Sequence, residues 1–149
     1  MAHVKLYFET IYDPELQKKI KDIEIIRLKC LVIFKRIDKI IEYRDAIIDT
    51  GAYISLIPES IWKYLIREEL TKHKVKGLSI KPECAIPVKI GKINCTICDF
   101  NGNATKEQNI YAYLASTDKV PLILGFKDLL SKFKICFNYK QNEASIKTK

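Results

Sequence analysis

An alternating apolar segment, joined by a short turn to a second extended segment, constrains the fold of this chain most. In residues 26–34 every second residue is apolar, namely Ile26, Leu28, Cys30, Val32 and Phe34. This period of two predicts a strand with one buried face. A turn at Ile37-Asp38-Lys39 and a second extended segment over residues 40–48 complete a predicted β-hairpin, which runs directly into Asp49-Thr50-Gly51-Ala52. The hairpin is therefore expected to place one carboxylate at the end of a buried strand.

Much of the remaining chain also has strand character, because β-branched and aromatic residues are concentrated between Gly, Pro and Asn. Further strands are predicted over residues 4–9, 86–90, 93–98, 110–114 and 134–139, with turns at Gly91-Lys92 and Asn101-Gly102-Asn103. Residues 72–80 are polar and contain Gly77, so they are expected to form an exposed hairpin or loop. The pattern predicts a mainly β domain.

Short helices are expected between these strands. Asp13-Pro14 supplies an N-cap and a proline at the first helical position. Pro58 begins a second predicted helix over residues 58–70, in which Trp62 lies on an apolar stripe and is expected in the core. Residues 126–133 are predicted to form a third.

The charge of the chain raises a nucleic-acid interpretation. The 26 Lys and Arg residues exceed the 18 Asp and Glu residues, which gives a formal net charge of +8 over 149 residues. The cations are spread along the chain and alternate with acids or apolar residues, so a solvated surface explains them better than a nucleic-acid site. A basic nucleic-acid-binding domain is kept as a third alternative, and no nucleic acid is expected as a partner.

Length and cysteine usage limit the class of protein further. The longest apolar runs are about five residues, far fewer than the roughly 20 of a membrane-spanning helix, so neither a transmembrane helix nor a secretory signal is expected. Five cysteines at irregular spacing argue against a disulfide framework, so reduced thiols, a cytoplasmic location and no membrane contact are expected. Cys95-Thr96-Ile97-Cys98 has zinc-like spacing, with Cys84 and His73 as conceivable partners. A strand places residues three apart on opposite faces, so neither a metal nor a cofactor is expected.

Few side chains are arranged for catalysis. His3 and His73 lie in unrelated contexts, and no nucleophile elbow, Walker A loop or dinucleotide-binding glycine motif is present. Asp49 remains: a carboxylate that follows a buried strand must find hydrogen-bond donors or shift its pKa. Gly51 can bring its N–H close to that carboxylate, and Thr50 adds a hydroxyl. A plain Asp-Thr-Gly turn is the alternative, because these residues favour turns.

The segment from Ile47 to Pro58 resembles the active-site loop of retropepsin-like aspartic proteases, which have two apolar residues, Asp-Thr-Gly-Ala and then Ser or Thr. Leu122-Ile123-Leu124-Gly125, about seventy residues later, is similar to the second signature of that family. The expected short helix and final strand follow it. The resemblance covers roughly residues 30–139 and implies a small closed β-barrel-like acid protease lobe with one or two short helices.

The resemblance implies an aspartic endopeptidase in which Asp49, Thr50 and Gly51 form the catalytic group. The mechanism needs two aspartates about 3 Å apart that share a proton. Because the chain has one Asp-Thr-Gly, the resemblance implies a two-fold homodimer acting on a peptide or protein. Thr50 would then bond to the partner's loop.

The resemblance also implies the residues that bind substrate. These are Ala52, Tyr53, Ile54 and Ile123, together with Gly77, Leu78 and Ser79 of a flap whose tip is expected at Gly77-Leu78-Ser79-Ile80. Retroviral members have several glycines in the flap and acidic residues where this chain has Tyr53 and Ile54. Substrate binding is therefore expected to be more apolar, as in cellular and prokaryotic members.

A single retropepsin-like domain over residues 1–149 is expected, with an N-terminal extension (1–28), a core lobe (29–140) and a C-terminal tail or interface strand (141–149). Residues 4–8 and 144–147 are candidate interface strands, because edge strands tend to pair; residues 4–8 could instead pack on their own lobe. The main alternative to a peptidase is an inactive dimerisation or binding module of the same fold.

Overall fold

The computed structural model of the protein describes residues 3–75 and 85–148. These residues are mainly β, as the alternating apolar pattern predicts. The strands are β1 (His3–Lys5), β2 (Tyr7–Ile11), β3 (Ile25–Phe34), β4 (Tyr43–Ile48), β5 (Ser55–Ile57), β6 (Arg67–Val75), β7 (Ile86–Cys98), β8 (Gln108–Ala115), β9 (Ile123–Leu124), β10 (Lys134–Asn138) and β11 (Glu143–Lys147). Two short helices, α1 (Pro14–Lys19) and α2 (Glu59–Trp62), lie between them.

Most strands belong to one sheet in the order β2-β3-β4-β9-β5-β8-β7-β6. An additional pairing of β3 with β7 closes six of them into a ring, without forming a regular barrel. The ring encloses the main core, whose fully buried members include Val32, Ala46, Ile97, Ile110 and Leu124. Among the described strands β6 pairs with β7 alone, so it lies outside the ring.

The predicted first strand over residues 4–9 is in fact two strands. β1 pairs with β11 in a separate sheet of order β1-β11-β10, whereas β2 pairs with β3. The side chain of Asp99 accepts a hydrogen bond from Lys5 N–H at 2.9 Å, and this contact holds the chain where it changes sheet. The N-terminal segment thus packs on its own lobe. β11 has a strand on each side, so residues 144–147 are not an edge that could pair with another chain.

The predicted helix over residues 58–70 is wrong in its second half. α2 ends at Trp62, and the chain becomes strand β6 from Arg67. Trp62 is buried, as predicted, and its indole N–H donates to the carbonyl of Ala115 at 2.6 Å. Leu65 is buried in an isolated bridge with Arg36, whereas Ile66 is 45% exposed. The apolar residues at helical spacing therefore lie in one helical turn and one β-bridge, and they do not form a longer helix.

The predicted turn at Gly91-Lys92 is also wrong, because β7 runs through it unbroken. A Cβ atom on Gly91 would lie 2.7 Å from the carbonyl oxygen of Glu68 and 2.8 Å from the side chain of Leu114. The glycine is thus explained by the close approach of neighbouring strands. The predicted turn at residues 101–103 is confirmed, with Gly102 at φ 84°.

Local signals elsewhere gave mixed results. Asp13 caps α1 as predicted by accepting from the N–H groups of Glu15 and Leu16. The helix predicted over residues 126–133 is reduced to a short 3-10 helix, Leu130–Lys132. No helix within the two described ranges has the length and apolar character that crossing a membrane requires.

Candidate active site

Asp49 directly follows β4, where three strands meet. The parallel strand β9 lies beside β4, and Asp49 N–H donates to the carbonyl of Leu124 at 3.1 Å. Leu56 of β5 pairs with Ile123 on the other side of β9. The loop that carries Asp49 is therefore held at both ends by strands of the closed ring.

A second set of contacts fixes the exit of the loop. The carbonyls of Ala52 and Tyr53 accept from the N–H groups of Phe126 and Lys127, at 2.8 and 3.0 Å. A few residues further along the same segment, the buried hydroxyl of Ser55 accepts a hydrogen bond from Gly125 N–H at 3.0 Å. The two apolar motifs singled out in the sequence thus form one hydrogen-bonded unit.

The carboxylate of Asp49 is half-buried and has a backbone donor. Gly51 N–H donates to its Oδ1 at 2.9 Å. A Cβ on Gly51 would lie 3.3 Å from that oxygen, so a side chain here would crowd the carboxylate. Thr50 is exposed, and its hydroxyl makes no hydrogen bond within residues 3–75 and 85–148.

A cavity of about 550 Å³ opens in front of Asp49. That volume is within the range of ligand-binding clefts. The predicted residues that line it are Asp49, Gly51, Ala52, Tyr53, Ile54 and Ile123. Thr50 does not line the cavity, although both of its neighbours in the sequence, Asp49 and Gly51, do. Gly77, Leu78 and Ser79 lie outside the described residues.

Sequence reasoning missed the opposite wall of the cavity. It is formed by Leu56 of β5, by Tyr113 of β8 and by the end of β6, namely His73, Lys74 and Val75. The rings of His73 and Tyr113 are stacked, with centroids 5.9 Å apart and planes at 10°. A signal existed in the β-formers Thr71 and Val75, but the helix predicted up to residue 70 hid the start of this strand.

The described residues give no support to a metal site. No group of three His, Cys, Asp or Glu side chains among them could hold an ion. Cys95 and Cys98 are free and buried, and burial raises the pKa of the Cys95 thiol to about 12. The proposed partner Cys84 lies outside the described residues. These thiols are kept protonated and belong to the core.

The site can hold and polarise a small polar molecule at one carboxylate. Asp49 is the only carboxylate among the described residues that line the cavity, and the other lining residues are mainly apolar or aromatic. A carboxylate in this position can act as a base toward a bound water, and it can return the proton it takes to a leaving group. The cavity thus offers one carboxylate among its described lining residues for acid–base chemistry.

Neither a scan against protein-family models nor a search of curated proteins found a match to this chain.

Proposed function

We propose that the protein is a retropepsin-like aspartic endopeptidase that works as a homodimer. The observation that carries the proposal is the placement of Asp49, half-buried at the edge of a 550 Å³ cavity with the Gly51 N–H on its carboxylate. The Asp-Thr-Gly-Ala sequence and the Gly125 turn, joined through Ser55, are the pieces that the family resemblance requires.

The chemistry needs a second carboxylate, which a second copy of the chain would supply. Two aspartates at close range cannot both ionise, so the pair shares one proton. The ionised member removes a proton from a bound water, whose oxygen attacks the scissile carbonyl carbon. The protonated member donates to the carbonyl oxygen, and a later proton transfer to the amide nitrogen releases the amine product. The exposed hydroxyl of Thr50 is free to bond across the two-fold axis.

Cleavage of a peptide library by the purified chain, from acid to neutral pH, tests the proposal. We expect Asp49→Asn to lower the rate of peptide cleavage by a factor of at least about 10³, because the neutral amide cannot act as a base. Asp22→Asn is a matched control: Asp22 is exposed and has φ 62°, which asparagine also adopts. Its activity should equal that of the parent chain.

Sedimentation of the same samples tests the quaternary claim. A mass of about twice 17.3 kDa is expected for the active form. If the protein is a dimer but cleaves no peptide, a binding module explains it better than a peptidase. If it is strictly monomeric and fully active, the proposal of an active site shared by two chains is contradicted.

A further inference from the structure

A second groove lies along β6 and shares His73 and Lys74 with the cavity at Asp49. Its volume is about 510 Å³. The lysine groove is defined by five of its lining residues, namely Trp62, Lys72, Lys74, Lys89 and Leu114. Trp62 and Leu114 give it an apolar floor, and three ammonium groups lie around them.

The positive charge of the lysine groove is only partly compensated. Lys72 and Lys74 are two apart on one strand and share a face, and Lys72 is paired in register with Lys89 on β7. Glu69 lies 3.1 Å from the ammonium of Lys89. In the described part of the chain, no carboxylate lies within 4.0 Å of Lys72 or Lys74. Like charges opposite each other in a sheet repel, so an anion bound beside these lysines would reduce the repulsion between their ammonium groups.

Among the described residues, the backbone next to the lysine groove is a sheet edge with no strand paired on one side. β6 is the last strand in the order of the large sheet and pairs only with β7 among the described strands. Residues 68–74 are exposed without interruption. A long exposed edge presents unpaired N–H and C=O groups and is a template for a further strand. Lysines on such an edge keep two copies of the same chain apart, and the same charge attracts an acidic strand.

We propose that the β6 edge and the lysine groove together bind an extended acidic segment of a partner protein by strand addition. In an added strand, alternate side chains would lie beside Lys72 and Lys74, so these should be acidic. The intervening side chains would lie on the face of His73 and Val75, so these should be apolar. The recognised pattern is acidic and apolar residues in alternation, which goes beyond the proposed proteolysis and does not depend on it.

Binding is measured with the full chain carrying Asp49→Asn, so that cleavage cannot disturb the result. The probes are fluorescein-labelled peptides read by anisotropy: an alternating Glu-Leu peptide, a peptide of the same composition with the Glu residues in one block, and an alternating Lys-Leu peptide. We expect the alternating Glu-Leu peptide to bind about tenfold more tightly than the block peptide, and the Lys-Leu peptide not to bind. The single tryptophan, Trp62, lines the groove, so its fluorescence should change with the same dissociation constant.

Two variants and one modified probe make the test specific. Lys72→Glu with Lys74→Glu should weaken binding of the Glu-Leu peptide at least about tenfold and allow the Lys-Leu peptide to bind. Lys134→Glu with Lys147→Glu, a facing pair in the smaller sheet, removes the same charge and should leave binding within about twofold. N-methylation of every second residue of the Glu-Leu peptide should abolish binding, because it removes the backbone donors of the added strand. Equal binding of the alternating, block and N-methylated peptides, or no saturable binding at all, would overturn the proposal.

Discussion

The buried hydroxyl of Ser55 accepts a hydrogen bond from the backbone N–H of Gly125 at 3.0 Å. Ser55 is 0% exposed, and a Cβ on Gly125 would lie 2.4 Å from the carbonyl carbon of Ile54. The two residues therefore lock the chain that leaves the Asp49 loop against the turn after β9. The position of Asp49 depends on this contact between segments 70 residues apart in sequence.

Ser55→Ala should destabilise the protein by about 1–3 kcal/mol, because it leaves the buried N–H of Gly125 without an acceptor. Urea unfolding followed by circular dichroism measures the change. Ser116→Ala is the matched control: the Ser116 hydroxyl also makes one hydrogen bond, to the carbonyl of Pro87 at 3.0 Å, but it is exposed. An equal loss for the two variants would show that the buried contact has no special weight.

Gly125→Ala should cost about 3 kcal/mol or more, because the added methyl group meets backbone atoms that cannot rotate away. Thermal unfolding measures the loss, and any peptidase activity should fall with it as the loop shifts. Gly102→Asn should cost far less. Gly102 has φ 84° and nothing within 4 Å of a Cβ atom, and asparagine is one of the residues that tolerate positive φ. A Gly125→Ala variant as stable as Gly102→Asn would contradict the close packing.

Thr50→Val separates a role within the chain from a role between chains. The hydroxyl of Thr50 is exposed and has no hydrogen-bond partner in the described residues, so the stability of the monomer should change by less than about 0.5 kcal/mol. If the hydroxyl bonds across a dimer axis, sedimentation at decreasing concentration should show a dimer that dissociates more readily than the parent. If dimerisation and activity are unchanged in Thr50→Val, the Thr50 hydroxyl does not contribute to the dimer interface.

Asp99 should make stability depend on acid pH. Burial raises the pKa of its carboxyl, but hydrogen bonds from Lys5 N–H and from Asn103 and Asn101 outweigh burial, and the pKa lies below 3.8. A carboxyl whose pKa is lower in the folded state than in the unfolded state stabilises the fold when the pH is above its unfolded-state pKa. This stabilisation is lost as the pH falls through the folded-state pKa.

Urea unfolding of the parent chain and Asp99→Asn between pH 7 and pH 2 measures this effect. The parent should be more stable than the variant at neutral pH, and the difference should shrink once the pH falls below about 3.8. A difference that stays constant over the whole range would assign the role of Asp99 to something other than its charge.

Local patterns in the sequence predicted several strands and turns. Residues 26–34 form β3 almost as predicted. The single buried face is not confirmed along the whole strand, because Ile26 is 41% exposed whereas Leu31, on the other face, is buried beside Cys30. Asp13 and Gly102 act through their own backbone neighbours, so the α1 cap and the tight turn were also predictable.

The failures occurred where residues far apart decide the local structure. β6 is exposed on both faces and therefore has no alternation to detect. Gly91 looked like a turn residue, but it is needed for the close approach of Glu68 and Leu114. The split between β1 and β2 depends on Asp99, which lies 94 residues from Lys5.

By itself, the sequence determined the strand content and the candidate carboxylate, since both depend on short segments and their own periodicity. The tertiary structure decided what surrounds that carboxylate: the join between Ser55 and Gly125, the cavity wall from His73 to Val75, and the adjoining lysine groove along the same strand. Pairing between strands that are distant in sequence brings these groups together, and only the closed sheet fixes which edges and faces meet.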